Sequence, residues 1–328
     1  MAAMKFVLIG HGSISRSYLD AFSKVPGAEI AGVVGRNAEK AAAFAAEHGI
    51  AVSGTELADV ARRAEAEAVV ICTPNAVHYE NVMEASRLGL HCLCEKPLHI
   101  SPEKQMEMIA SCRANGVKLG VSYMRRFISH MGYIKELVDS GALGRITVVD
   151  VTIKHWREAA YYNSWHGTYE HDGGGPFIQQ GSHIIDLALW MCGGYREVLE
   201  AKRFKAIHEI ETEDHGYAVI HYANGAVGMI EASTASKGMT KEILEISGTK
   251  GSIAANYHEI VTWEVPGLEK PELAGDSPNP VLFERLAADF VRAVREDKPP
   301  FIDGESAKTA TELITAIYAK AGDPLVLY

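Results

Sequence analysis

No apolar run in the sequence approaches the ~20 residues that a helix needs to span a bilayer, and the opening MAAMKFVLIG has no basic leader ahead of a cleavable apolar segment. A cytoplasmic protein is expected. Cysteine is scarce: Cys72, Cys92, Cys94, Cys112 and Cys192 form an odd set of five without a C-x-x-C pair, which argues against a disulfide framework and a thiolate zinc site. They read as small buried apolar residues. Positive charge is in deficit, with 32 Lys and Arg against 42 Asp and Glu and a net charge of -10. Such a surface repels phosphate backbones and anionic lipid, so no nucleic acid and no membrane is expected as partner. The short cluster Lys202, Arg203 and Lys205 reads as a solvated strand or loop. Internal repeats and low-complexity linkers are also lacking. His155, His166 and His171 do not have zinc-site spacing, and no metal is assigned.

What is present suits a globular chain of about two domains: 328 residues, 47% apolar and 23% charged. Lys5 to Gly10 reads as a buried strand ending in glycine, followed by a helix over Ser13 to Lys24. Ile30 to Val34 predicts a second strand, and Asn37 and Gly49 cap the alanine-rich helix between them. Alternation continues with helices at Thr55–Arg63, His78–Leu88 and Ser101–Ala114 and strands at Ala68–Thr73, His91–Cys94 and Lys118–Tyr123. This rhythm builds a doubly wound parallel sheet. Past residue 123 strands follow one another without helices: Arg145–His155, Val198–Ala206, Gly216–Tyr222, Ala226–Thr234, Glu242–Ser247 and Ser252–Asn256, with Ala223-Asn224-Gly225 as a hairpin turn. Helices over Leu282–Glu296 and Glu305–Ala321 close the chain, the last of them placed to pack back on the first domain.

The first strand runs into Gly10-His11-Gly12-Ser13-Ile14-Ser15. Gly10 permits a tight turn, Gly12 leaves room for a phosphate, and amides at the helix start can hold a pyrophosphate; Ser15 replaces the third glycine of the usual pattern. A carboxylate that would grip the adenine ribose is expected about twenty residues on. Gly35-Arg36-Asn37 stands there instead, and a guanidinium without a repelling acid favours NADP over NAD.

Two further strand ends carry polar groups, Cys72-Thr73-Pro74-Asn75 with His78 beyond it, and Glu95-Lys96-Pro97. Both fall at the carboxyl edge of the sheet, where such folds bind ligands. Thr73, Asn75, His78, Glu95 and Lys96 therefore join Gly10, Gly12, Ser13, Ile14 and Arg36 as expected cofactor contacts. Lys96 reads either as a proton-exchanging group whose pKa falls beside a positive nicotinamide, or as a surface lysine paired with Glu95. In the second half, Trp165-His166-Gly167-Thr168, Asp172-Gly173-Gly174-Gly175 and Gln179-Gln180-Gly181-Ser182-His183 precede HIIDLALW, an expected amphipathic helix with His183 at its start. A helix N-terminus suits a neutral proton acceptor, with Asp186 able to orient it. Arg125 and Arg126 are candidates for a substrate carboxylate or phosphate, one of them for an ion pair between domains. Tyr123, Lys154, Trp156, Arg157, Tyr161, Trp165, His166 and Tyr169 have the composition to stack on a sugar ring and bond its hydroxyls, about half of them being structural.

GHGSIS, TPNAVH, EKP and GGG-x5-G-x-H-x2-D-x3-W, in this order and over nearly the whole chain, resemble the glucose-fructose oxidoreductase, inositol dehydrogenase and MocA family. The resemblance implies a Rossmann domain over residues 1–123 and an α/β domain over 124–328, whose large, open, mostly antiparallel sheet is often used for oligomerisation. It implies NAD(P)-linked redox chemistry on sugars, polyols or their derivatives, in a homodimer or homotetramer, with Lys96 and His183 catalytic. The family's third catalytic position, an aspartate, falls on Gln179, which cannot take a proton or stabilise imidazolium by charge. Either Lys96 and His183 suffice, with Gln179 and His183 holding substrate beside Tyr123, Arg125, Trp165 and His166, or the site binds dinucleotide and sugar as a sensor without turnover. Reduction of a non-sugar carbonyl or oxidation of a dihydrodiol is a further alternative. The W-x-G-T, DGGG and Q-G-x-H pattern resembles a branch acting on nucleotide-linked amino-sugar acids, which favours the active enzyme. This reading requires Lys96 and His183 to serve one substrate over the nicotinamide.

Overall fold

A computed structural model describes residues 3–163, 166–273 and 278–328. The chain forms two compact units, Met1–Met124 with Pro278–Lys308, and Arg125–Ser277 with Thr309–Tyr328. In the first unit, strands and helices alternate as β1 (Met4–Ile9), α1 (Ser13–Lys24), β2 (Ala28–Val34), α2 (Ala38–His48), β3 (Val52–Gly54), α3 (Leu57–Ala64), β4 (Ala68–Ile71), α4 (His78–Arg87), β5 (His91–Cys94), α5 (Pro102–Ala114) and β6 (Leu119–Val121). The strands form one parallel sheet in the order β3-β2-β1-β4-β5-β6. Order reverses between β1 and β4, opening a crevice at their carboxyl ends. The residues of β4 are all buried, as expected for a strand covered on both faces. Local signals set the helices: Asn37 accepts the Lys40 amide, Gly49 takes a left-handed φ of 68°, and Ser101 caps α5 ahead of Pro102.

Helix Asn279–Arg295 completes this unit. Phe283 meets Tyr18 edge-on at 5.0 Å, and Phe290 lies 6.3 Å from Phe6. The first unit is thus discontinuous in sequence, which a single cut at residue 123 does not express.

The second unit contains α6 (Ser129–Asp139), β7 (Ile146–Lys154), α7 (Tyr169–Asp172), α8 (Pro176–Gln179), α9 (Ser182–Cys192), β8 (Tyr195–Lys205), β9 (His215–Tyr222), β10 (Val227–Ser233), β11 (Lys241–Gly248), β12 (Ser252–Ala255) and β13 (Ile260–Glu264). With α10 the helix Asn279–Arg295, the chain ends in α11 (Gly304–Ala321), which spans the division between units, and β14 (Leu325–Val326). The sheet runs β13-β12-β11-β7-β10-β9-β8-β14. It is antiparallel except where β7 meets β10 and β8 meets β14. Asn224 and Gly225 turn the β9–β10 hairpin, Gly225 at a φ of 89°.

Two sequence expectations are corrected. Helix α6 stands ahead of the run of strands, where the sequence marked no helix; its N-cap is Ile128, without a side-chain cap, so the usual start signal is missing. Helix α9 is not amphipathic: Ile184 through Leu189, Met191 and Cys192 are all buried, because β7, β11, α6 and α8 surround it. The opposite face of the sheet is open, with Val148, Leu199, Val227 and Met229 each about two-fifths exposed. All five cysteines are free and buried, as expected. No helix of the described residues is long and apolar enough to cross a membrane.

Candidate active site

One candidate region lies at the carboxyl edge of the parallel sheet, within the first unit. Gly10 adopts a φ of +95°, and a Cβ there would stand 2.8 Å from the Cys72 carbonyl oxygen, so only glycine lets β1 turn this close to β4. Gly12 caps α1 without a side-chain hydrogen bond, and nothing lies within 4 Å of a Cβ built on it. Gly12 and Ser13 are exposed and Ile14 half-buried. Ser15, wholly buried, donates to the Gly10 carbonyl at 3.1 Å and so fills the place of the third glycine by tightening the turn. An open helix N-terminus facing clear space is the shape and charge that a dinucleotide's pyrophosphate needs. The residues present fit that group.

Beside this turn, β4 and β5 deliver Thr73 and Lys96. His78, placed among the cofactor contacts from sequence, is instead wholly buried and joins the two loops. Its Nε2 lies 2.9 Å from the Thr73 carbonyl oxygen and its Nδ1 3.0 Å from that of Pro97. Burial lowers the imidazole pKa against the pull of those carbonyls. Glu95 also turns inward: it accepts from the buried Tyr18 hydroxyl at 2.7 Å and from the Lys96 main-chain amide at 3.1 Å. Burial, then the Glu95 charge, pushes the Tyr18 phenol well above its ordinary value, so it stays a donor. The Lys96–Pro97 peptide is cis and Lys96 is half-exposed. Asn75 opens a short 3-10 turn, and the Thr73 hydroxyl accepts from Asn81 at 3.0 Å. Arg36 is exposed at the end of β2, and among the described residues no acid pairs with it.

A second candidate region, within the other unit, is built around the triple glycine. A Cβ on Gly175 would lie 2.1 Å from the Glu213 carbonyl oxygen. The Glu213 carboxylate accepts from the Gly175 amide at 3.2 Å, from Tyr318 at 2.8 Å and from Arg203 at 3.3 Å. Burial raises the Glu213 carboxyl pKa, and Arg203 opposes it. Arg203 is only 5% exposed. It is therefore not the solvated strand cation expected from sequence. Past the glycines, α8 ends at half-buried Gln179, and His183 is the second residue of α9, half-exposed at its N-terminus. Gln179 donates to the carboxylate of Asp172, and the same carboxylate accepts the Gly167 amide at 2.7 Å. His166 Nδ1 lies 3.4 Å from Asp172 and its ring stacks on Tyr161 at 4.2 Å. A cleft of about 520 Å³ runs past His166, Tyr162, Thr168 and His208.

Other sequence candidates have different partners. Asp186 does not orient His183; it is wholly buried in a two-bond pair with Arg126, whose Nε donates at 2.8 Å. Arg126 is thereby removed from substrate binding, and the pair lies inside one unit. Tyr123 is wholly buried, so it packs in the core and does not stack on a ligand. Arg125 sits 4.3 Å over the Tyr257 ring. Lys154 pairs with Glu231, and Tyr169 accepts from Arg203. Trp165 lies outside the described residues. Sequence reasoning missed Asp172 and Glu213 as organising acids, since their partners are set by folding and follow no local spacing.

Residues 4–123 match the model of an oxidoreductase family with an NAD-binding Rossmann fold, and residues 131–254 match the GFO/IDH/MocA C-terminal domain. The WlbA dehydrogenase of Bordetella pertussis, solved with NADH and UDP-GlcNAcA, has a TM-score of 0.90 to this chain at 27% identity, over 98% of this chain and 96% of its own. D-glucoside 3-dehydrogenase of Escherichia coli is 25% identical, over 97% of this chain and 95% of its own. Inositol 2-dehydrogenase of Rhizobium meliloti is 26% identical over 82% of each chain. With a phosphate-binding turn, an E-K-P strand end and a G-x-H helix start in place, the chain belongs to the GFO/IDH/MocA family of oxidoreductases.

Proposed function

We propose that the protein transfers a hydride between a nicotinamide cofactor and a secondary hydroxyl carbon of a sugar, polyol or nucleotide-linked sugar. The observation that carries this reading is the arrangement at one sheet edge, where Lys96 stands on a loop fixed by His78 and Glu95 next to the open N-terminus of α1. The nicotinamide, when bound, supplies the hydride acceptor or donor. Lys96 takes the hydroxyl proton as the alcohol becomes a carbonyl and returns it in the reverse direction. His183, Gln179, His166 and Arg125, all of the second unit, bind the substrate's hydroxyls and the remainder of the ligand. Gly10, Gly12, Ser13 and Ile14 bind the pyrophosphate, and Thr73 and Asn75 the ribose side of the cofactor.

The exposed guanidinium of Arg36 supports NADP over NAD, because the strand end Gly35-Arg36-Asn37 carries no carboxylate to oppose a 2′-phosphate. Likeness to a dehydrogenase solved with UDP-GlcNAcA supports a nucleotide-linked sugar acid as substrate class. The open sheet face with Val148, Val227 and Met229 exposed supports assembly as a homodimer or homotetramer, and the cytoplasm is the compartment we propose. Titrating NADH and NADPH by fluorescence, then adding a panel of polyols, sugars and sugar-nucleotide acids with the oxidised cofactor, tests the reading. Turnover of at least one hydroxyl compound is expected; tight cofactor binding with no turnover across the panel would identify a sensor.

A further inference from the structure

We infer that Asp172 is a positioning residue that locks the Gln179 amide with its carbonyl outward, so that this protein meets its substrate there with a hydrogen-bond acceptor. The Gln179 Nε2 donates to the Asp172 carboxylate and, at 3.3 Å, to the Asp172 main-chain carbonyl. Both of those groups accept only, so the amide cannot turn its oxygen toward them without facing two lone-pair sets. Both protons of Nε2 are engaged, and among the described residues no donor meets Oε1. Asp172 cannot swing away: it is 1% exposed, its other oxygen receives the Gly167 amide at 2.7 Å, and His166 lies 3.4 Å from both oxygens.

Consequently Gln179 offers the ligand an acceptor and no donor. A hydroxyl satisfies it, whereas a carbonyl oxygen or a carboxylate is repelled. The negative charge absent from residue 179 is present one hydrogen bond away, where it polarises the amide and strengthens its oxygen as an acceptor. An acid at 179 would face Asp172 directly, and two carboxylates at hydrogen-bond distance cannot both ionise. Gln179 and Asp172 thus form a matched set.

This inference rests on the proposed hydroxyl oxidation only for its kinetic consequence. In Asp172→Asn, the fixed Gly167 amide holds the new side chain's oxygen and leaves its NH₂ toward Gln179. The glutamine must reverse, and its NH₂ then faces the ligand. The expected result is a rise in KM for the alcohol of about 10- to 100-fold, the range for a hydrogen bond made with charge assistance, while KM for the ketone product does not rise. Asp172→Asn with Gln179→Glu restores an acceptor supported by a donor, and alcohol KM recovers toward wild type. A readout without turnover is available because the chain has only three glutamines, Gln105, Gln179 and Gln180. With selective ¹⁵N labelling of glutamine side chains, the Gln179 NH₂ pair, identified by its loss in Gln179→Glu, should be shifted downfield and slow to exchange in the wild type and revert in Asp172→Asn. Unchanged NMR signals in a folded Asp172→Asn protein would overturn the inference even if no substrate is found. Equal losses for alcohol and ketone without recovery in the double variant would overturn it for the reacting enzyme. Absence of turnover in the wild type with the expected NMR change would count against the proposed function alone.

Discussion

Lys96 carries the proposed proton transfer, and the residues around it have separable effects. Lys96→Met should lower kcat by about 10²-fold or more, the usual contribution of a positioned acid or base, while the Kd for NADH stays within twofold of about the wild-type value; titration and steady-state rates check both. His78 acts through the loops it joins. Its pKa is lowered by burial, so the unfolded chain binds more protons than the folded one and stability rises with pH. That stabilisation is complete above the unfolded value of about 6.5 and is lost as pH falls through the folded pKa. The Tm gap between wild type and His78→Asn should therefore be widest above neutral pH and narrow on acidification, followed by thermal denaturation across a pH series. Arg126 tests the correction made for Asp186. Arg126→Met leaves a buried carboxylate without its cation and should cost about 3–5 kcal/mol, read by denaturant unfolding.

At the scale of elements, sequence carried the Rossmann half well because each of its signals is local. Asn37, Gly49, Ser101 and Pro102 mark helix ends by their own chemistry, and β5 and α1 occupy the expected spans. Where local signals are absent the reading failed: α6 has no capping side chain, and α9 is apolar all round because helices and sheet enclose it. The same distinction divides the site. Lys96, Gln179 and His183 are proposed as site residues because short motifs frame them. Asp172, Glu213, Arg203 and the buried roles of His78, Tyr123 and Asp186 depend on which distant backbone arrives beside them. Gly175 shows how tightly the glycine region of the second unit is built. Gly175→Ala drives a methyl into the Glu213 carbonyl and should destabilise the protein by about 1–3 kcal/mol, with a larger loss of activity than Tyr318→Phe, which removes one hydrogen bond to the same carboxylate. Tm and kcat/KM on both variants decide this.

For the molecule as a whole, the discontinuous first unit matters more than a linear boundary. Helix α10 covers Tyr18 and Phe6, so residues 1–124 alone should expose that apolar surface and aggregate, whereas residues 1–124 joined by a flexible linker to 278–308 should fold and bind dinucleotide. Circular dichroism and NADH fluorescence on the two fragments distinguish these outcomes. Composition had already set the larger limits, since the acidic balance and absence of long apolar runs turned attention to a small-molecule site. The most direct measurement of the central claim is the nicotinamide absorbance when wild type and Lys96→Met, each saturated with oxidised cofactor, meet the same panel of polyols, sugars and sugar-nucleotide acids. Reduced cofactor forming with wild type on at least one hydroxyl compound, and falling away in the variant despite equal cofactor affinity, is the predicted result. A variant as fast as the wild type would contradict it.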